Sequence, residues 1–139
     1  MSDLTVTFDR VKAAAQRLKW DFDVAEGEET LIAGFEDAFV TVPFQPEVLT
    51  CVTFDPNTAV PMDQFDAVAA WANQWNTTCL YGNAYAKVNE HAGNVALVTS
   101  AGVPIHEGAT DAQLDSWLLT IVGACVHACA EFRAHRQAE

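Results

Sequence analysis

The chain has 139 residues, half of them hydrophobic, with 7 basic against 19 acidic residues and a formal net charge of −12. That length suits one domain, spanning residues 1–139, and the apolar content excludes a chain too polar to offset the entropy cost of ordering. The charge balance excludes a phosphate-reading surface, because nucleic acids and anionic membranes are both held by clustered Lys and Arg. Neither a nucleic acid nor a membrane is expected as a partner.

No run reaches the roughly 18 apolar residues of a membrane span. The opening Met-Ser-Asp-Leu-Thr has neither the basic nor the apolar region of a signal peptide. The expectation is a cytoplasmic protein, in which Cys51, Cys79, Cys125 and Cys129 stay reduced.

Leu4, Phe8, Val11, Ala15 and Leu18 recur at spacings of four and three, which predicts a helix over about Leu4 to Lys19. Trp20 to Ala25 alternates apolar with Asp21 and Asp23 and predicts a short strand with one wet face. After a turn at Glu26-Gly27-Glu28-Glu29, strands are expected at Thr30–Phe35 and Phe39–Val42, with Glu36-Asp37 as a tight connection. Pro43 and Pro46 bracket the exit of the latter. Val48 to Phe54, rich in β-branched residues, reads as a buried central strand that Asp55-Pro56-Asn57 ends.

Pro61-Met62-Asp63 opens a second helix with Asp63 as its cap, and Phe65, Val68, Ala69, Ala72 and Trp75 mark its inner face to about Asn76. Strands at Ala84–Asn89 and Val95–Thr99 follow, joined by Glu90-His91-Ala92-Gly93-Asn94. In the last helix Thr110 and Gln113 are spaced as a capping box, and Leu114 to Phe132 carries a wide apolar stripe. Strands grouped in runs, without βαβ alternation, give an α+β class with an antiparallel sheet. The helices should cover one face. The other must be wet or pair with a second copy.

Catalytic spacings are missing. No GxSxG, GxxxxGK[ST] or GxGxxG occurs. Cys125-Val126-His127-Ala128-Cys129 has the ligand types for zinc, but His127 diverges from the two cysteines on a helix, so they are read as buried thiols. His91, His106, His127 and His135 follow no ligand spacing, and Glu26, Glu28, Glu29, Glu36 and Asp37 lack the order of a calcium loop. The chain is read as a non-enzyme without metal or cofactor. Trp71 and Trp75, four apart on the second helix, are interaction candidates, Trp71 because it lies off the Phe65/Val68/Ala72/Trp75 line at the edge of the buried face.

The run Trp71-Ala72-Asn73-Gln74-Trp75-Asn76 resembles the close of the middle helix in the YbjN family. Ala84-Tyr85-Ala86-Lys87-Val88, Val95-Ala96-Leu97-Val98 and the Gly108-Ala109-Thr110 lead into the last helix are similar to that family as well. The likeness covers about Leu4 to Arg133. It implies the order α-β-β-β-α-β-β-α, a fold similar to type III secretion chaperones, frequent homodimers, and a role as a bacterial sensory transduction regulator that binds protein without a cofactor. Trp20–Ala25 is additional to that order.

Asn73 and Asn76 carry the family motif, and a structural role at the helix end is preferred for both. The function expected is therefore protein binding, as a homodimer, to a protein partner. The rival reading is a small-molecule binder or enzyme, with His91–Asn94, the His106 loop and Asn76 converging on a pocket.

Overall fold

The structure, a computed structural model, describes residues 4–35 and 38–138. The expected Glu36-Asp37 connection lies outside the described residues. Helix α1 spans Phe8–Arg17, shorter than the expected Leu4–Lys19. Thr7 caps it, its hydroxyl accepting the Arg10 N–H, so the helix cannot begin earlier. Leu4 is held instead by the segment that leads into the last helix: the Ala109 N–H donates to Leu4 O at 2.9 Å. Arg10 donates to the Leu4, Thr5 and Ala109 carbonyls. Gly108 has no alternative here, since a Cβ on it would stand 2.7 Å from Leu4 O, at φ +91°.

The strands are β1 (Phe22–Val24), β2 (Thr30–Phe35), β3 (Ala38–Pro43) and β4 (Val48–Phe54). Two single-turn 3₁₀ segments flank a two-residue β5 (Val60–Pro61), an element the sequence reading lacked. Helix α2 spans Phe65–Thr78. Asp63 is not its cap, because it falls inside the 3₁₀ turn Met62–Gln64 that leads into the helix. The helix also outlasts Asn76: the Thr77 and Thr78 hydroxyls donate back to Gln74 O and Trp75 O. Then come β6 (Asn83–Asn89), β7 (Asn94–Pro104) and α3 (Asp111–Gln137).

β7 is longer than the expected Val95–Thr99 because β4 pairs along it from Val48 opposite Pro104 to Phe54 opposite Val98. Gly102 and Pro104 are weak strand formers, and cross-strand bonding overrides them. All pairings are antiparallel, in the order β1-β2-β3-β4-β7, with β6 on the other side of β7 and β5 prolonging the β4 side.

All three helices lie on one face. α3 crosses β4 and β7, α1 packs beside α3, and α2 runs along β6. By length and composition alone α3 could cross a membrane. In this fold its stripe, Leu114, Leu118, Ile121, Val122, Cys125 and Phe132 among others, is buried against the sheet. The expected capping box is present: Thr110 accepts the Gln113 N–H, and the Gln113 side chain accepts the Thr110 N–H.

Candidate functional site

Strand alternation divides each strand between the two faces. On β4, Leu49, Cys51 and Thr53 are buried under the helices, while Val52 and Phe54 point the other way. Among the described residues no helix covers that second face. Register places Phe39 of β3 opposite Phe54 of β4, Phe54 opposite Val98 of β7, and Val98 opposite Tyr85 of β6. These four apolar side chains form one row across four strands. Phe39 is 48% exposed, Tyr85 43% and Phe54 38%, and the two phenylalanine rings stand 5.9 Å apart. Ile32 of β2 is exposed on the same face.

A groove of about 750 Å³ runs beside this row, with Thr41, Val52, Ala96 and Val98 on its floor and Lys87 and Glu90 also lining it. Strands β2, β3, β4, β6 and β7 contain no Asp or Glu at all. In a chain of net charge −12, the acids among the described residues lie on turns, loops, helices and β1. The open face is therefore nearly neutral: its apolar row stands among Thr41, Thr50, Ser100 and Asn83, and Lys87 and Asp23 bring one charge of each sign.

The covered face holds the polar groups that fix the fold. Asp55, 1% exposed, accepts from Arg133 Nε at 2.7 Å and from the Asn57 N–H at 2.9 Å. This pair joins the end of β4 to the last turns of α3 across 78 residues, a separation that no local pattern spans. The buried Thr99 hydroxyl lies within hydrogen-bond reach of Cys125 O and Thr53 O.

The thiols of Cys51, Cys125 and Cys129 gather around Thr53 and Thr99. The neighbouring Cys125 sulfur and burial push the Cys51 thiol far above the ordinary range, and burial pushes Cys129 up to about 11. Both stay protonated and are poor nucleophiles or metal ligands. His127 is exposed, its ring 5.7 Å from that of Trp75, so it does not meet Cys125 and Cys129. Among the described residues no three His, Cys, Asp or Glu side chains are grouped to hold a metal.

The four motif residues divide. Trp71 and Trp75 are partly buried and stacked at 5.3 Å, and Trp71 also meets Phe132 edge-on at 5.0 Å, so these rings seal the α2–α3 contact. Asn73 is exposed. Asn76 is engaged: its Nδ2 donates to Ala84 O at 2.9 Å and its Oδ1 accepts the Ala84 N–H at 2.8 Å.

The expected convergence of the two histidine loops fails. His91 lies in the turn before β7 and His106 in the turn after it. Eleven extended residues at about 3.4 Å each separate the loops by roughly 35 Å.

Residues 7–134 match the profile of the family described as "YbjN: Putative bacterial sensory transduction regulator". A crystal structure of YbjN from E. coli, described as "a putative transcription regulator", superposes with a TM-score of 0.81 at 14% sequence identity, over 97% of this chain and 96% of that one. At that identity the likeness is one of fold. No curated protein matches the sequence.

Proposed function

The chain belongs to the YbjN family, and from that premise we propose that it is a regulatory protein rather than an enzyme, working as a homodimer that binds protein through the open face of its sheet. The observation that carries this reading is the row Phe39, Phe54, Val98 and Tyr85 on strands free of acids. Interface cores are depleted in charge and enriched in aromatic residues, and this face has both properties.

A second copy fits it best. Two chains of net charge −12 repel over most of their surfaces, and the neutral face is where they meet at the least electrostatic cost. A two-fold axis makes such a patch meet itself, and Lys87 and Glu90 supply opposite charges near its edge. The chaperone-like fold implied by the sequence resemblance suits a protein that holds another chain.

Sedimentation equilibrium tests this directly. The wild type is expected to be dimeric, and Phe39→Asp and Tyr85→Asp monomeric with unchanged far-UV circular dichroism. A wild type that stays monomeric at the highest attainable concentration sinks the proposal. The groove volume favours a second reading, since about 750 Å³ lies in the range of small-molecule sites. A thermal-shift screen with small apolar acids checks it: a saturable rise that Val52→Trp abolishes by filling the groove would support a ligand.

A further inference from the structure

Among the described residues β6 pairs only with β7, so its other edge ends the sheet. An edge strand presents a row of N–H and C=O groups that can pair with any extended segment, including the same strand of another copy. In an antiparallel ladder every second residue turns its backbone groups away from the partner strand. Ala84 is such a residue, and Asn76 takes both of its groups, at 2.8 and 2.9 Å. A primary amide offers one carbonyl and an N–H donor side by side, as a peptide does. Asn76 therefore acts as a one-residue strand laid on the edge from the last turns of α2.

The alternation makes Ala86 and Val88 the next outward residues, with Lys87 between them. Past the start of β6, Tyr81 treats β7 similarly: its phenol donates to Gly102 O at 2.5 Å. Burial raises the Tyr81 pKa and keeps that proton in place.

We propose that Asn76 and Lys87 together close the β6 edge against strand addition by a second copy of this chain. The registers open to a two-fold pairing of β6 with itself are few. An axis at Ala84, Tyr85 or Ala86 requires the Ala84 backbone groups, which Asn76 occupies. An axis at Lys87 pairs Ala86 with the other copy's Val88 but sets Lys87 against Lys87, a directly opposed like-charge pair. An axis at Val88 carries the pairing into the turn at residues 90–93, where there is no strand to receive it. Each register meets one of three obstacles, and two of these are single side chains. The family-motif residue Asn76 thus acts against unwanted association and is not a ligand-binding group.

The test is the double variant Asn76→Ala, Lys87→Thr, with Ala86→Pro added in a third protein. The Ala86 N–H points outward, so proline there removes a donor for an incoming strand and leaves the β7 ladder bonded. The double variant should form assemblies larger than those of the wild type, whatever the wild-type state is, with an intermolecular β-sheet band in the infrared. Adding Ala86→Pro should return it to the wild-type size. A folded double variant of wild-type size, or one whose association survives Ala86→Pro, overturns the proposal.

Amide hydrogen exchange on the wild type needs no variant. Ala84 should exchange at least ten-fold more slowly than Ala86 and Val88, and equal rates would count against Asn76 as the closing group.

Discussion

The two faces of the sheet are made by the same strands and end in opposite states. Under the helices, β4 buries Leu49, Cys51 and Thr53, and Asp55 just beyond it is tied to Arg133. On the open side the same strand shows Phe54 to solvent at 38%. An apolar residue is thus no guide to which face is core. Only the helices decide that, and they leave the row Phe39, Phe54, Val98 and Tyr85 uncovered.

Asp55→Ala should break the covered side hardest. It leaves the Arg133 guanidinium without its buried carboxylate and should cost about 3–5 kcal/mol in urea unfolding. Next comes a pair of truncations within one strand. Leu49→Ala, fully buried, should cost about 3 kcal/mol. Phe54→Ala, farther along the same strand on the open face, should cost under about 1 kcal/mol in the monomer. If the open face is a dimer interface, the Phe54→Ala penalty grows with protein concentration while the Leu49→Ala penalty does not.

Much of this division is legible in the sequence. The strands at Thr30–Phe35 and Val48–Phe54, the capping box at Thr110 and the stripe of α3 are local patterns, and each appears where its residues predict it, although Val48–Phe54, expected to be buried, is buried on one side only. What escaped depends on contacts between distant segments. Helix α1 starts only after its cap Thr7 because the Leu4 and Thr5 carbonyls are engaged by Arg10 and the Ala109 N–H, and β7 runs to Pro104 because β4 lies beside it. Asp55 reads as a turn residue until α3 delivers Arg133 to it. The motif drew attention to Asn76, but only the fold brings Ala84 within its reach. The histidine loops looked like neighbours because the expected β7 was half its true length.

Thiol reactivity sharpens the contrast without altering the protein. Cys51, Cys125 and Cys129 are buried under the helices, whereas Cys79 sits partly exposed where α2 ends, its S–H donating to Tyr81 O. Ellman's reagent should label one thiol in the native protein within minutes. The other three should react only at the rate of unfolding, or at once in denaturant. Fast labelling of two or more thiols would mean that the covered face opens locally.

The smallest effect is electrostatic, at the start of α3. Arg10 donates to Asp111 at 2.9 Å and holds its carboxyl below the ordinary range, with Arg17 adding to the attraction. Asp111 also stands in the first turn of the helix, where a negative charge suits the macrodipole. A carboxyl whose pKa is depressed by folding contributes stability that is complete above its unfolded value, near 3.9, and is lost as the pH falls through the lower folded value. Wild type should therefore be more stable than Asp111→Asn at neutral pH, and the difference should close on acidification. Because the carboxylate is solvent-exposed, the gap should also narrow in high salt. A gap that persists at pH well below 3 would assign the loss to the hydrogen bond's shape and not to its charge.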